Sequence, residues 1–136
     1  MKNYNQAFVL VATLTMTAIP SWAEVVIVVN SKNAAPQMSS EQASQYFLGK
    51  STSMTPIDQP EGSAIRGEFY KKLADKEASQ VKAIWSKLVF TGKGTLPKEV
   101  GSSDAVKKAI VADINAIGYI EKSAVDSAVK IVAVLP

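Results

Sequence analysis

The run Glu24-Val-Val-Ile-Val-Val-Asn30 sets the strongest limit on what this chain can fold into. Its residues are β-branched and show no apolar/polar alternation. A strand of that kind is covered on both faces, as in an α/β sheet, rather than wetted on one. At 136 residues the chain has room for one domain of ordinary size. Apolar residues at 47% and charged residues at 20% give it globular rather than disordered composition.

Cys and His are both missing from the sequence. That removes disulfides, thiol nucleophiles and Cys/His zinc sites, together with the commonest general base near neutrality. Asp58 and Glu61 are close in sequence, but no positioned His, Cys or metal-ligand set accompanies them. The chain therefore reads as a non-enzyme with no metal site and no cofactor. The net charge of +3 and the interleaving of Lys/Arg with Asp/Glu argue against nucleic acid as a partner.

Lys2 gives a positive start, and Ala7 to Ile19 is an apolar run of signal-peptide length, short for a bilayer span. Pro20 breaks the run, and Ser21-Trp22-Ala23 has small residues on both sides of Trp22. The pattern predicts a signal peptide over residues 1–23, cleaved after Ala23, and a periplasmic domain over 24–136; an uncleaved anchor or a disordered tail is the alternative. About 113 residues then remain, with a net charge of about +2 once Lys2 is removed.

Within that domain, Ser39 and Gln42 match a capping box, with Ala43, Tyr46 and Phe47 on the apolar face and Gly49 as the stop. Thr55 to Asp58 reads as a short strand and Ser63 to Leu73 as a helix. Asp75 is expected to cap the next helix, whose apolar face is Val81, Ile84, Trp85 and Leu88. Residues 90–102 read as a long loop. Gly92-Lys93-Gly94-Thr95 within it lacks the earlier glycine of a phosphate-binding loop, because Lys87 stands there. Ser102 or Ser103 caps a further helix, with Val106, Ala109, Ile110 and Ile114 expected inward. Ala116 to Ile120 is a strand in which Gly118 implies close approach of another element, and Val129 to Leu135 is the last strand. The fold class is α/β, a small mixed sheet flanked by helices.

The candidate site is the junction Gln59-Pro60-Glu61-Gly62-Ser63-Ala64-Ile65-Arg66. The first turn of a helix presents unpaired amides and partial positive charge. Amides of Ser63, Ala64 and Ile65, the Ser63 hydroxyl and the Arg66 guanidinium make a cradle for a small oxyanion, with Gly62 permitting close approach. The other reading is that Ser63 only caps the helix and Arg66 lies on its solvated face. Gly101-Ser102-Ser103 is a second Gly-Ser helix start, though Asp104 in its first turn would repel an anion.

Five stretches, in order, resemble the phosphate-type substrate-binding proteins of ABC transporters. They are the Val-rich strand ending at Asn30; the helix running into Tyr46-Phe47-Leu48-Gly49-Lys50; Glu61-Gly62-Ser63 followed by Phe69 and Tyr70; Trp85; and Ala116-Ile117-Gly118-Tyr119-Ile120. The resemblance implies one lobe, the second, of the two-lobed type 2 periplasmic binding protein fold. It also implies a phosphate-like ligand at Gly62 to Arg66, with Gln59, Ser102 and Ser103 behind them, and a membrane permease or a second copy of the chain as partner. Gln59 stands where the family's loop begins with Arg, and Ala64 and Ile65 stand where it has Gly and Thr. These departures leave a second expectation beside the first: an interaction or regulatory module of the cell envelope that keeps the lobe fold without the ligand.

Overall fold

A computed structural model describes residues Glu24–Pro136; the expected signal peptide lies outside them. The Val-rich run forms β1 (Val25–Asn30), and every residue in it is buried. Its side chains alternate between two apolar layers. Val25, Ile27 and Val29 face one, and Val26 and Val28 face the other. The inference that both faces of this strand are covered holds for that reason.

The remaining elements are α1 (Ser40–Phe47), β2 (Thr55–Asp58), α2 (Ala64–Ala74), α3 (Ala78–Phe90), β3 (Lys98–Glu99), α4 (Ser103–Ala112), β4 (Ala116–Glu121) and β5 (Val129–Leu135). A 3-10 turn, Lys122–Ala124, links the last two strands. The strands form one mixed sheet in the order β3-β2-β4-β1-β5. β1 runs antiparallel to both β4 and β5, whereas β2 runs parallel to β4 and β3.

The three helices α1, α2 and α3 cover one face with Phe47, Phe69, Tyr70, Val81 and Trp85. Helix α4 covers the other with Val106 and Ile110. Trp85 is core, as its helical spacing implied, and its Nε1 donates to the Phe47 carbonyl at 2.9 Å. An aromatic stack ties the first layer to the sheet: the Phe69 and Tyr119 rings lie 3.8 Å apart and nearly parallel.

Three details depart from the sequence reading. Asp75 does not start α3; it ends α2 in the left-handed conformation (φ 54°), which Asp tolerates better than most residues. Glu77 takes the cap position of α3, and its amide donates to Gln80 Oε1 at 2.8 Å. Residues 98–99 inside the expected loop form β3, an edge strand too short to show a pattern. Ile114 is not inward but half exposed, because α4 ends at Ala112 and Ile114 falls in the turn beyond.

Candidate functional site

The junction after β2 lies off the carboxyl end of β2, beside the parallel strands β3 and β4. In α/β sheets this is the side on which ligand crevices form. Gly62 and Ala64 are exposed there, and a Cβ built on Gly62 would meet nothing within 4 Å. The Ser63 side chain does not cap α2; its hydroxyl donates to the Pro60 carbonyl at 2.7 Å. The Ser63 amide bonds to the same carbonyl at 2.9 Å, and the first amide to bond back along the helix is that of Gly67, to the Ser63 carbonyl. Among the described residues, the amides of Ala64, Ile65 and Arg66 have no protein acceptor. Of the three amides of the expected cradle, those of Ala64 and Ile65 have no protein acceptor, whereas the Ser63 amide and hydroxyl are both bonded to the Pro60 carbonyl.

Arg66 departs from the reading that put it on a solvated face: it is buried, with its charge already shared. Nη1 donates to the Gln59 carbonyl at 3.0 Å and lies 3.5 Å from Glu99 Oε2, while Nη2 lies 3.7 Å from Asp58 Oδ2. Its Nε is buried without a partner. Two carboxylates thus offset one guanidinium, which lessens the attraction this corner exerts on an added anion.

Asp58 is the hub of this region, a role its place at the end of a short apolar strand did not suggest. Buried to 3% exposure, it accepts hydrogen bonds from the hydroxyls of Tyr70, at 2.7 Å, and Tyr119, and from the Gln59 amide at 2.9 Å. Burial, and then the Asp58 charge, push both phenols well above the ordinary tyrosine value. Gln59 and Ser103 come together: Gln59 Nε2 donates to the Tyr119 carbonyl at 3.0 Å and to Ser103 Oγ at 3.4 Å. Ser102 instead caps α4, accepting from the Ala105 amide at 3.2 Å.

A cleft of about 180 Å³ opens beside Arg66, between α2, α3 and the segment leading into β3. Of the expected cradle residues only Arg66 lines it; Gly62, Ser63, Ala64 and Ile65 do not. Lys82 and Glu61 also line it and pair at 3.1 Å, and Glu99 closes its edge. The sequence reading gave no site role to Lys82, Glu99, Tyr70 or Tyr119; all but Tyr70 are distant from the junction along the chain.

No family model and no curated protein matches the chain. Among solved structures it is similar to a protein from Clostridium perfringens assigned as a phosphate ABC transporter substrate-binding protein and solved with bound phosphate. The TM-score is 0.65 at 20% identity, over 81% of this chain and 44% of that one. An ABC-type phosphate transport receptor from Vibrio cholerae gives 0.64 at 18% identity, over 81% and 45%. PstS from Borrelia burgdorferi gives 0.56 at 11%, over 82% and 47%. The fold is that of one lobe of the two-lobed periplasmic binding protein architecture. The chain spans less than half the length of those proteins. At these identities the likeness establishes architecture and leaves the ligand of this lobe to its own residues.

Proposed function

We propose that this lobe is exported to the periplasm and forms one wall of a binding site for phosphate or a similar small oxyanion. The observation that carries the reading is the open first turn of α2, where the amides of Ala64, Ile65 and Arg66 have no protein acceptor beside an exposed Gly62. Such a turn offers directed donors and a partial positive charge. Similarity to proteins solved or named as phosphate binders supports the same ligand class. The Ser63 hydroxyl joins the donors by exchanging its bond to the Pro60 carbonyl. Arg66 works mainly by holding the Gln59–Pro60 turn in place. A half-site of this kind binds weakly until a permease, a second lobe or a second copy of the chain closes over it.

Calorimetric titration with phosphate and with sulfate tests the reading on protein recovered from the periplasmic fraction, whose mass should begin at Glu24. The informative substitution is Ala64→Pro. Ala64 is the first helical residue and the preceding Ser63 is already extended (ψ 141°), so proline fits and removes one amide donor with little cost to the helix. Phosphate affinity should fall about tenfold in that variant, the worth of one hydrogen bond to a charged group. Absence of heat, or affinity unchanged in both Ala64→Pro and Ser63→Ala, rejects it. The pairing of Arg66 with Asp58 and Glu99 would then favour the second reading, a ligand-free interaction module.

A further inference from the structure

The charges of this domain are unevenly spread. From Ala78 to Lys98, which is α3 and the loop after it, there are four lysines and no acid; the rest of the described chain has ten basic residues against twelve acidic. Lys82 is paired with Glu61, but Lys87, Lys93 and Lys98 are exposed and, among the described residues, form no ion pair. The same stretch carries Phe90 at 92% exposure and Leu96 at 61%, with Val89 exposed beside them. Gly92, at φ 70°, closes the helix end: its amide bonds to the Val89 carbonyl at 3.1 Å, and that of Lys93 to Leu88 at 2.8 Å. The turn places exposed Phe90 and Lys93 three residues apart at the C-terminal end of α3.

We propose that this tip is a peripheral docking surface for a bilayer leaflet containing anionic phospholipid. Exposed aromatic and aliphatic side chains gain by entering the headgroup boundary, and long lysine stems let the ammonium groups stay among the phosphates. Each lysine near an anionic leaflet adds a comparable electrostatic increment. Charge complementarity also orients the molecule, since the remainder carries a small net negative charge and is repelled. Among the described residues no helix is long and apolar enough to cross a membrane, so attachment through these residues is at the surface. This inference does not rest on the oxyanion site, which uses other residues.

Because the chain has no cysteine, a single one can carry an environment-sensitive dye. Thr95→Cys places it in the loop between Lys93 and Leu96; Ala112→Cys places it at the end of α4, on the opposite layer. Protein recovered from the periplasmic fraction, beginning at Glu24, is titrated with vesicles of phosphatidylcholine alone and of phosphatidylcholine with phosphatidylglycerol. The dye at position 95 should shift to the blue only with phosphatidylglycerol, and the dye at 112 should not. Adding Lys87→Glu and Lys93→Glu should weaken the response at least about tenfold, and Phe90→Ser should reduce the shift. An equal response at both positions, or with both vesicles, overturns the proposal, as does no effect of these substitutions. Silence toward both vesicles also overturns it and leaves the tip to an acidic protein partner.

Discussion

Asp58 shows what a single residue does here that a linear reading does not reveal. It ends a strand, and the groups that satisfy it come from α2 and from β4, 12 and 61 positions away. The parallel pairing of β2 with β4 brings Tyr119 to Asp58, and the packing of Phe69 against Tyr119 holds α2, with Tyr70, over the same carboxylate. The start of α2 after Gly62-Ser63 was legible, because the Pro60/Gly62 break and the apolar spacing after it are local, although Ser63 makes no side-chain cap; the destination of Arg66 was not, because Glu99 sits on a strand without a sequence signature. Tyr70→Phe should cost about 1–3 kcal/mol by leaving a buried carboxylate oxygen under-bonded. The pair also sets an alkaline limit. Unfolded tyrosines ionise near pH 10, whereas burial holds these two protonated to higher pH. The unfolded chain therefore loses these protons first. Stability fully present below about pH 10 declines above it, by about 1.4 kcal/mol per pH unit for each tyrosine. Urea midpoints measured between about pH 10 and 11 should fall more steeply in the parent than in Tyr70→Phe/Tyr119→Phe. Parallel slopes would remove the phenols as the cause.

Among the elements, those with strong periodicity were legible and those set by tertiary contact were not. The capping box at Ser39 and Gln42 is present with both of its hydrogen bonds, at 3.2 Å and 3.0 Å. The α2–α3 boundary was misread because Asp serves equally well as a helix cap and as a left-handed stop, and only the geometry of Asp75 decides between them. Gly118 was read correctly as a place of close approach. A Cβ there would sit 2.6 Å from Val106 Cγ1 and 3.2 Å from Ile110 Cδ1, so β4 and α4 meet with no room for a methyl group. Gly118→Ala should destabilise the domain by about 1–3 kcal/mol through overpacking. Val106→Ala is destabilising by itself, but the two together should cost less than their sum, since the second opens the space that the first needs. Additive losses in denaturant midpoints would place the strain elsewhere.

At the scale of the molecule, the sheet order β3-β2-β4-β1-β5 was not legible, because strand pairing joins residues far apart in sequence. The first described strand finds both of its partners near the other end of the chain. That topology has a mechanical consequence. Val25, Ile27 and Val29 belong to the layer of α1, α2 and α3, and Val26 and Val28 belong to the layer of α4. Neither layer can open without uncovering a strand that the other also needs. The Gln59–Ser103 hydrogen bond adds a link between the site and the start of α4. Residues 24–136 should therefore unfold in one step despite having two apolar layers. In that segment Trp85 is the only tryptophan, and its fluorescence reports the α1–α3 layer alone. Amide exchange at Val106 and Ile110 reports the α4 layer. In urea the two should give the same midpoint, and the buried α4 amides should exchange only by global unfolding. Release of α4 at lower urea than the Trp85 transition would show the layers to be separate units. The first turn of α2, the proposed oxyanion site, would then rest on α1, α2 and α3 without support from α4.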